Sequence, residues 1–173
     1  MQLDRRTYSN QKQHDSFLRL LLTHDGSTTR LCEAVEGAPM QIHLHQQQTV
    51  SQVPAEVLRI LGGNVWLQRV TSLHNAPGEV FMDNLSFTRL DALPDWFTEA
   101  LNEGHTPIGR LLDQLFIKRV KTSVSSELKN LLWNTVGMPD ERASRSYYVA
   151  TPEGPFMLIF EVFRDVLTKL DRV

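Results

Sequence analysis

The sequence predicts a single α+β domain, built on an antiparallel β-sheet with helices packed on one side. Turn residues such as Asn75–Gly78 and Thr151–Pro155 separate neighbouring apolar segments, a pattern typical of β-hairpins. Helical patterns cluster in the early and central parts of the chain and do not alternate with strands. The 173 residues are enough for one domain with a hydrophobic core, and we expect 1–14 to be a flexible or loosely packed N-terminal segment.

Helices are predicted where apolar residues recur at helical spacing between a capping residue and a glycine. They are expected at 15–22, from Ser27 or Thr28 to Ala34, at 54–61, at 94–101, and from a Thr106 cap and Pro107 to about Leu115.

Strands are predicted where apolar and polar residues alternate or where a short apolar run lies between turns. They are expected at 40–45, 65–73, 79–87, 146–150 and 156–163. The polar segment 117–133 gives no clear pattern and is left without an assignment, and Pro139 indicates a loop.

Composition excludes several functional classes. The net charge of −2 provides no basic field for nucleic acid, so we expect no nucleic-acid partner. Cys32 is the one cysteine, which rules out an internal disulfide and favours a reducing compartment. The first residues lack the apolar stretch of a signal peptide, and the run Phe156–Phe160 is too short to cross a bilayer. We therefore expect a cytoplasmic protein without membrane contact.

Glu161 is the most informative residue in the sequence. It lies in the strand 156–163, where the side chains on both faces are otherwise apolar, so the strand is expected to be covered on both sides. A buried carboxylate is costly unless it is paired, hydrogen-bonded or protonated. Glu161 is therefore either a tuned acid or substrate-binding group in a cleft, or one half of a structural pair with an arginine.

Three further segments suggest an anion site. The helix start at Thr106–Arg110 and the turn at Asp25–Arg30 present free N–H groups and the positive end of a helix dipole, although an ordinary helix start is the simpler interpretation. Arg69, between apolar neighbours in a strand, is a candidate clamp for a carboxylate, unless it reaches solvent at a sheet edge.

No motif indicates a metal or a cofactor. His43 and His45 share a strand face but have no cysteine or acidic partner at ligand spacing, and Cys32 has no catalytic partner motif. Phosphate-binding, dinucleotide-binding and hydrolase motifs are absent from the sequence. We expect neither a cofactor nor a metal.

Five short segments, in this order, resemble the chorismate lyase family. They are Leu20-Leu21-Leu22 with Gly26-Ser27-Thr28-Thr29-Arg30, Trp66-Leu67-Gln68-Arg69-Val70, Gly104-His105-Thr106-Pro107-Ile108-Gly109-Arg110, Arg142-Ala143-Ser144-Arg145, and Glu161-Val162-Phe163. The resemblance implies a chorismate lyase-like antiparallel sheet. It also implies a cofactor-independent lyase that eliminates pyruvate from chorismate and leaves 4-hydroxybenzoate.

The resemblance also assigns roles to residues. Glu161 would face the ring hydroxyl, a strand arginine would clamp a carboxylate, and backbone N–H groups near Thr28 and Ile108 would hold carboxylate oxygens. The expected partner is a small aromatic or cyclic carboxylate, and the expected state is a monomer or a weak dimer.

The chain departs from the family pattern at Gln68, which occupies the position of the family's strand arginine, while Arg69 follows one residue later. One residue along a strand turns a side chain to the other face. Either a bulge returns Arg69 to the pocket or the pocket lacks the clamp. Gln68 and Arg69 are therefore both candidate site residues. An enzyme with a different cyclic carboxylate substrate and a non-catalytic aromatic-acid-binding module remain alternatives.

Overall fold

The architecture is a six-stranded, fully antiparallel sheet. The structure, a computed structural model, describes residues 15–137 and 143–164. The strands are β1 (Gln41–Val50), β2 (Trp66–His74), β3 (Val80–Arg89), β4 (Lys118–Thr122), β5 (Ser144–Thr151) and β6 (Gly154–Phe163). Their order across the sheet is β1-β2-β3-β6-β5-β4, so β6 lies near the centre, between β3 and β5.

Helices connect the strands. They are α1 (15–23), α2 (Thr28–Glu36), α3 (Ala55–Leu61), α4 (Asp95–Glu103), α5 (Ile108–Leu112) and α6 (Ser126–Val136), with a short 3-10 turn at Leu90–Ala92. Among the described residues, none of these helices combines the length and the apolar character needed to span a bilayer.

The predicted α+β class with an antiparallel sheet is confirmed, but the helices lie on both faces of the sheet rather than on one. Leu158 and Phe160 of β6 pack in a core with residues of α3 and α6. Met157 and Ile159 pack on the other side with residues of α4 and α5. Because alternate side chains of β6 are apolar on both faces, each face needs a covering layer.

The largest departures from the predicted boundaries concern three segments. The unassigned segment 117–133 contains β4 and most of α6, whose N-cap Ser125 accepts a hydrogen bond from the Leu128 amide. Helix α5 ends at Leu112, and its N-cap is Pro107, which has no capping side chain, so Thr106 is not the cap. Strand β1 continues to Val50. The predictions for 1–14 and Pro139 lie outside the described residues.

Cys32 lies on α2 and is completely buried in a small core shared by α1, α2 and the sheet. Burial, and secondarily the nearby Glu161 carboxylate, raises the pKa of its thiol to about 12. Because the thiolate is the reactive species, we expect no labelling of the native protein by a thiol reagent at pH 8 and complete labelling in denaturant. Rapid labelling under native conditions would show that this core opens readily.

Candidate active site

A half-open cavity with an empty volume of about 480 Å³, its mouth included, lies on the α2 and α5 side of the sheet. Its floor follows from the strand register. One row of cross-strand neighbours is Thr71, Asn84, Glu161 and Arg145, and a second row, two residues along each strand, is Arg69, Ser86, Ile159 and Tyr147. Side chains two residues apart on a strand share a face, so both rows point to the same side of the sheet.

Glu161 lines this cavity and is only 3% exposed. Its carboxylate accepts hydrogen bonds from Arg145 Nε at 2.7 Å and from the Tyr147 hydroxyl at 2.9 Å. The Thr28 hydroxyl lies 3.0 and 3.1 Å from its two oxygens. Glu161 is therefore paired with an arginine and also forms part of a cavity wall. Three donors fix its orientation.

Arg145 connects this carboxylate to the segment that precedes α2. Its Nη1 donates to the carbonyl oxygens of Leu21 and His24, at 3.1 and 2.6 Å, and its Nη2 donates to the Thr28 hydroxyl at 2.5 Å. Burial opposes the charge of Arg145, but the Glu161 carboxylate raises its pKa, so the guanidinium stays charged. Arg145 therefore positions both Glu161 and Thr28.

Two neighbours of this pair are neutral near pH 7. Burial, then the Glu161 carboxylate, raises the pKa of Tyr147, which remains a phenol that can donate its hydrogen bond. Burial, then the Arg145 charge, lowers the pKa of His24. Tyr147 and His24 therefore contact the Arg145–Glu161 pair without adding charge.

Arg69 lies on another part of the cavity wall and is positively charged, whereas Glu161 carries a carboxylate. Arg69 is 1% exposed, and its Nη2 donates to the Gly104 carbonyl oxygen at 2.9 Å. Its Nε and Nη1 are buried and have no hydrogen-bond partner in the part of the chain that the structure describes. Burial without a neighbouring carboxylate lowers its pKa to about 10. Arg69 is therefore a buried cation whose hydrogen-bonding capacity is only partly used within the described residues.

The structure shows which of Gln68 and Arg69 lines the cavity. Arg69, Thr71 and Leu73 alternate regularly along β2 and all line the cavity. Gln68 does not line it, because it shares the opposite face with Trp66 and Val70, which pack in the core against α3 and α6. Arg69 thus reaches the cavity without a bulge at this point in β2, and the structure does not bring Gln68 to the predicted site.

The cavity is roofed by the first residues of α2 and α5, including Thr28 and Ile108. Ser27 caps α2 by accepting a hydrogen bond from the Arg30 amide. Ion pairs join the two helices: Arg30 Nε lies 2.8 Å from Asp113 Oδ2, and Arg110 contacts Glu33. The first N–H groups of a helix have no partner within the helix, so both helix starts offer backbone donors at the cavity.

The family model of the Rv2949c-like chorismate pyruvate-lyases matches residues 22–171. The chain belongs to this family. The match contains the cavity floor and roof described above, including Glu161, Arg69 and the starts of α2 and α5. A comparison with curated protein sequences gave no match.

Solved structures with a similar arrangement include domains of GntR-family transcriptional regulators. The ligand-binding domain of a regulator assigned to that family, from Bordetella bronchiseptica, is 13% identical with a TM-score of 0.46; the alignment covers 74% of this chain and 86% of that one. A GntR-family regulator from Bacillus cereus is 10% identical with a TM-score of 0.45, and the alignment covers 78% and 97% of the two chains. Neither likeness informs on what this family member binds.

Several cavity residues of this family member were not predicted from its sequence. Arg145 stood in a quoted motif, but its partner was unknown, and Tyr147 follows it on the same strand face. Asn84 is placed beside Glu161 by the β3–β6 register, and Arg119 belongs to the segment that had no assignment. Tyr147 lies two residues after Arg145, so alternation along a strand places both side chains on the same face. The positions of Asn84 and Arg119 depend on pairings between strands that are far apart in the sequence.

Gly109 allows the roof to close, and its replacement is expected to loosen it. A Cβ atom there would lie 2.8 Å from Ser27 Oγ and 2.9 Å from Thr29 Oγ1. Gly109→Ala must therefore displace the α2 cap or separate the two helices, at a cost of about 1 kcal/mol in the free energy of unfolding. Thermal unfolding should show lower stability for Gly109→Ala than for the wild type.

Gly26→Ala is the matched control for this roof variant, since a Cβ at Gly26 meets only His24 Cδ2, at 3.7 Å. It should behave as the wild type. Equal behaviour of the Gly109 and Gly26 variants would show that close contact between α2 and α5 is not required.

The two histidines considered as metal ligands have other contacts. His43 and His45 lie on one face with ring centroids 4.5 Å apart, and His45 Nε2 lies 2.7 Å from the Ser72 hydroxyl. Within residues 15–137 and 143–164, no group of three or more potential ligands is close enough to hold a metal ion.

Proposed function

We propose that this protein is a chorismate pyruvate-lyase, which eliminates pyruvate from chorismate and releases 4-hydroxybenzoate. The observation that supports the proposal most strongly is the pair of opposite charges in one buried cavity. Arg69 offers unpaired donors, and Glu161 offers a carboxylate held in fixed orientation. Membership of the Rv2949c-like chorismate pyruvate-lyase family supports the same reaction.

The spacing of the two groups suits a para-substituted ring. Arg69 and Glu161 lie on β2 and β6, with β3 between them, so their strands are about 10 Å apart. Arg69 would hold the ring carboxylate through one of its two free donor atoms, Nε or Nη1. Glu161 would accept a hydrogen bond from the ring hydroxyl, and the backbone N–H groups at Thr28 and Ile108 would hold carboxylate oxygens.

The chemistry requires little from the protein beyond binding and orientation. The bond from the ring carbon to the ether oxygen breaks, and its electron pair leaves with the enolpyruvate. The neighbouring ring carbon, which bears the hydroxyl, loses its proton, and the ring becomes aromatic. The enolpyruvate takes up a proton at its methylene carbon to give pyruvate, so one proton is lost and one gained. A cavity that orients the ring and places fixed charges beside it favours this elimination.

A non-catalytic aromatic-acid-binding module is the second candidate, and the three donors on Glu161 favour it. A carboxylate that already accepts hydrogen bonds from Arg145, Tyr147 and Thr28 has few lone pairs left with which to take a proton from a substrate. The third hypothesis is an enzyme with the same fold and a different cyclic carboxylate substrate. It rests on Gln68 at the family's arginine position.

Calorimetry followed by analysis of the recovered ligand separates these functions. A lyase should bind 4-hydroxybenzoate. After the protein is mixed with chorismate, analysis should recover pyruvate and 4-hydroxybenzoate in place of chorismate. Chorismate that binds tightly but is recovered intact would favour the binding module. Binding of 4-hydroxybenzoate without binding of chorismate would favour a different substrate. We further expect the protein to act in the cytoplasm as a monomer or a weak dimer.

A further inference from the structure

A second cavity, with an empty volume of about 400 Å³, adjoins the first at the β4 edge of the sheet. Its walls come from the segment between α1 and α2 and from strands β4 and β5. Its lining residues are Leu22, Thr23, His24, Asp25, Arg119, Lys121, Arg145, Ser146 and Tyr147. Arg119 and Tyr147 line both cavities, so the two spaces share a wall.

This second cavity is electropositive. Arg119, Lys121 and Arg145 face a single acidic residue, Asp25. The charge of Arg145 is already balanced by Glu161, but Arg119 forms no ion pair among the described residues, and its Nη1 contacts only the Asp25 carbonyl oxygen, at 3.2 Å. Two basic side chains are therefore left for an incoming anion.

Unsatisfied polar atoms give the same indication. Among the described residues, Arg119 Nε and His24 Nε2 are buried without a hydrogen-bond partner. Buried polar atoms in folded proteins are almost always hydrogen-bonded, so these two atoms are available to a small polar ligand that enters the cavity. A charged N–H donor together with a neutral imidazole suits a small carboxylate.

We propose that the second cavity is the subsite for the three-carbon leaving group, a small 2-oxo carboxylate, with Arg119 as its anion-binding residue. This inference rests on the proposed lyase function. Chorismate bears two carboxylates. Arg69 lines only the first cavity, whereas Arg119 lies in the wall that the two cavities share, and neither arginine forms an ion pair among the described residues. When the ether bond breaks, the ring stays at Arg69 and Glu161, and the pyruvate carboxylate remains at Arg119. The two products then occupy different cavities and can be bound together.

The test uses the full-length protein and pyruvate as the probe. Saturation-transfer NMR on the pyruvate methyl group reports its binding, alone and with saturating 4-hydroxybenzoate. The proposal predicts binding in both cases with similar affinity. Loss of the pyruvate signal when 4-hydroxybenzoate is added would place both ligands in the first cavity and overturn it. Absence of pyruvate binding in both cases would also overturn it.

Three single-residue variants test whether pyruvate binds in the second cavity. Lys121→Met changes an exposed residue that lines only the second cavity, and it should weaken pyruvate binding about two- to fivefold while leaving 4-hydroxybenzoate binding unchanged. Arg119→Met should weaken pyruvate binding at least about tenfold. Lys118→Met, on the same strand and exposed but lining neither cavity, is the matched control. Equal pyruvate affinity in wild type, Lys121→Met and Arg119→Met would overturn the assignment.

The lyase assignment and the second site can fail separately. Chorismate turnover without pyruvate binding would leave the lyase function standing and remove the second site. Pyruvate binding that depends on Lys121 and Arg119 in a protein without chorismate turnover would retain the anion site and remove the lyase function.

Discussion

Glu161→Gln is expected to reduce chorismate turnover by at least about a hundredfold. The amide lacks the negative charge that accepts the ring hydroxyl, and its NH₂ group opposes the donors of Arg145, Tyr147 and Thr28. Turnover should be measured from initial rates of 4-hydroxybenzoate release, at a temperature at which circular dichroism shows the variant folded. Glu153→Gln, in the exposed β5–β6 turn, is the control and should retain the wild-type rate.

The same substitution is expected to destabilise the fold. It leaves the buried guanidinium of Arg145 without its carboxylate, and breaking a buried pair by removing one partner costs about 3–5 kcal/mol. Urea unfolding should show this loss. The double variant Glu161→Gln/Arg145→Met removes both charges and should regain part of the stability but none of the activity. Full activity in a folded Glu161→Gln protein would remove Glu161 from the mechanism.

Arg69→Met is expected to have opposite effects on binding and on stability. It removes the charged donors for the ring carboxylate, a loss of about 2–5 kcal/mol that corresponds to at least about a thirtyfold weaker affinity for 4-hydroxybenzoate. It also removes a buried charge that has no carboxylate partner. The drop in pKa from 12.5 to about 10 corresponds to about 3 kcal/mol of unfavourable burial.

The lost hydrogen bond to the Gly104 carbonyl oxygen offsets about 1 kcal/mol of this gain. The ligand-free variant should therefore unfold at a higher urea concentration than the wild type, with a gain of about 1–3 kcal/mol. Arg59→Met, at an exposed position on α3, is the control and should change neither property. Wild-type affinity for 4-hydroxybenzoate in Arg69→Met would contradict the assigned role.

The lowered pKa of Arg69 adds a pH dependence to this comparison. A depressed pKa means that the guanidinium loses its proton at a lower pH than an exposed arginine does. Affinity for a carboxylate ligand should therefore fall as the pH rises through about 10. Calorimetric titrations over that range should show the fall in the wild type and not in Arg69→Met.

The sequence allowed the prediction of β6 and of its buried carboxylate because the pattern is local. An apolar run with one glutamate, bounded by a turn rich in proline and glycine, is readable within ten residues. The partner of Glu161 could not be predicted from the sequence, because Arg145 becomes its neighbour only through the β5–β6 register. Long-range pairing is set by the packing of the whole sheet.

The uncertainty about Gln68 and Arg69 has a related physical cause. Period-two alternation placed the two side chains on opposite faces, but helices cover both faces of this sheet, so the pattern could not tell which face holds the cavity. Strand β4 was missed for another reason. Its five residues, Lys118–Thr122, are mostly polar and lie at the sheet edge, so hydrophobic periodicity is weak there.

The central claim is that the cavity between Arg69 and Glu161 converts chorismate. The most direct measurement is the simultaneous quantification of pyruvate and 4-hydroxybenzoate after purified protein is mixed with chorismate. We predict that both products appear in equal amounts, at a rate proportional to protein concentration and well above the uncatalysed background, and that Arg69→Met and Glu161→Gln lower this rate. Product formation no faster than in protein-free buffer, by a folded protein that binds 4-hydroxybenzoate, would contradict the account.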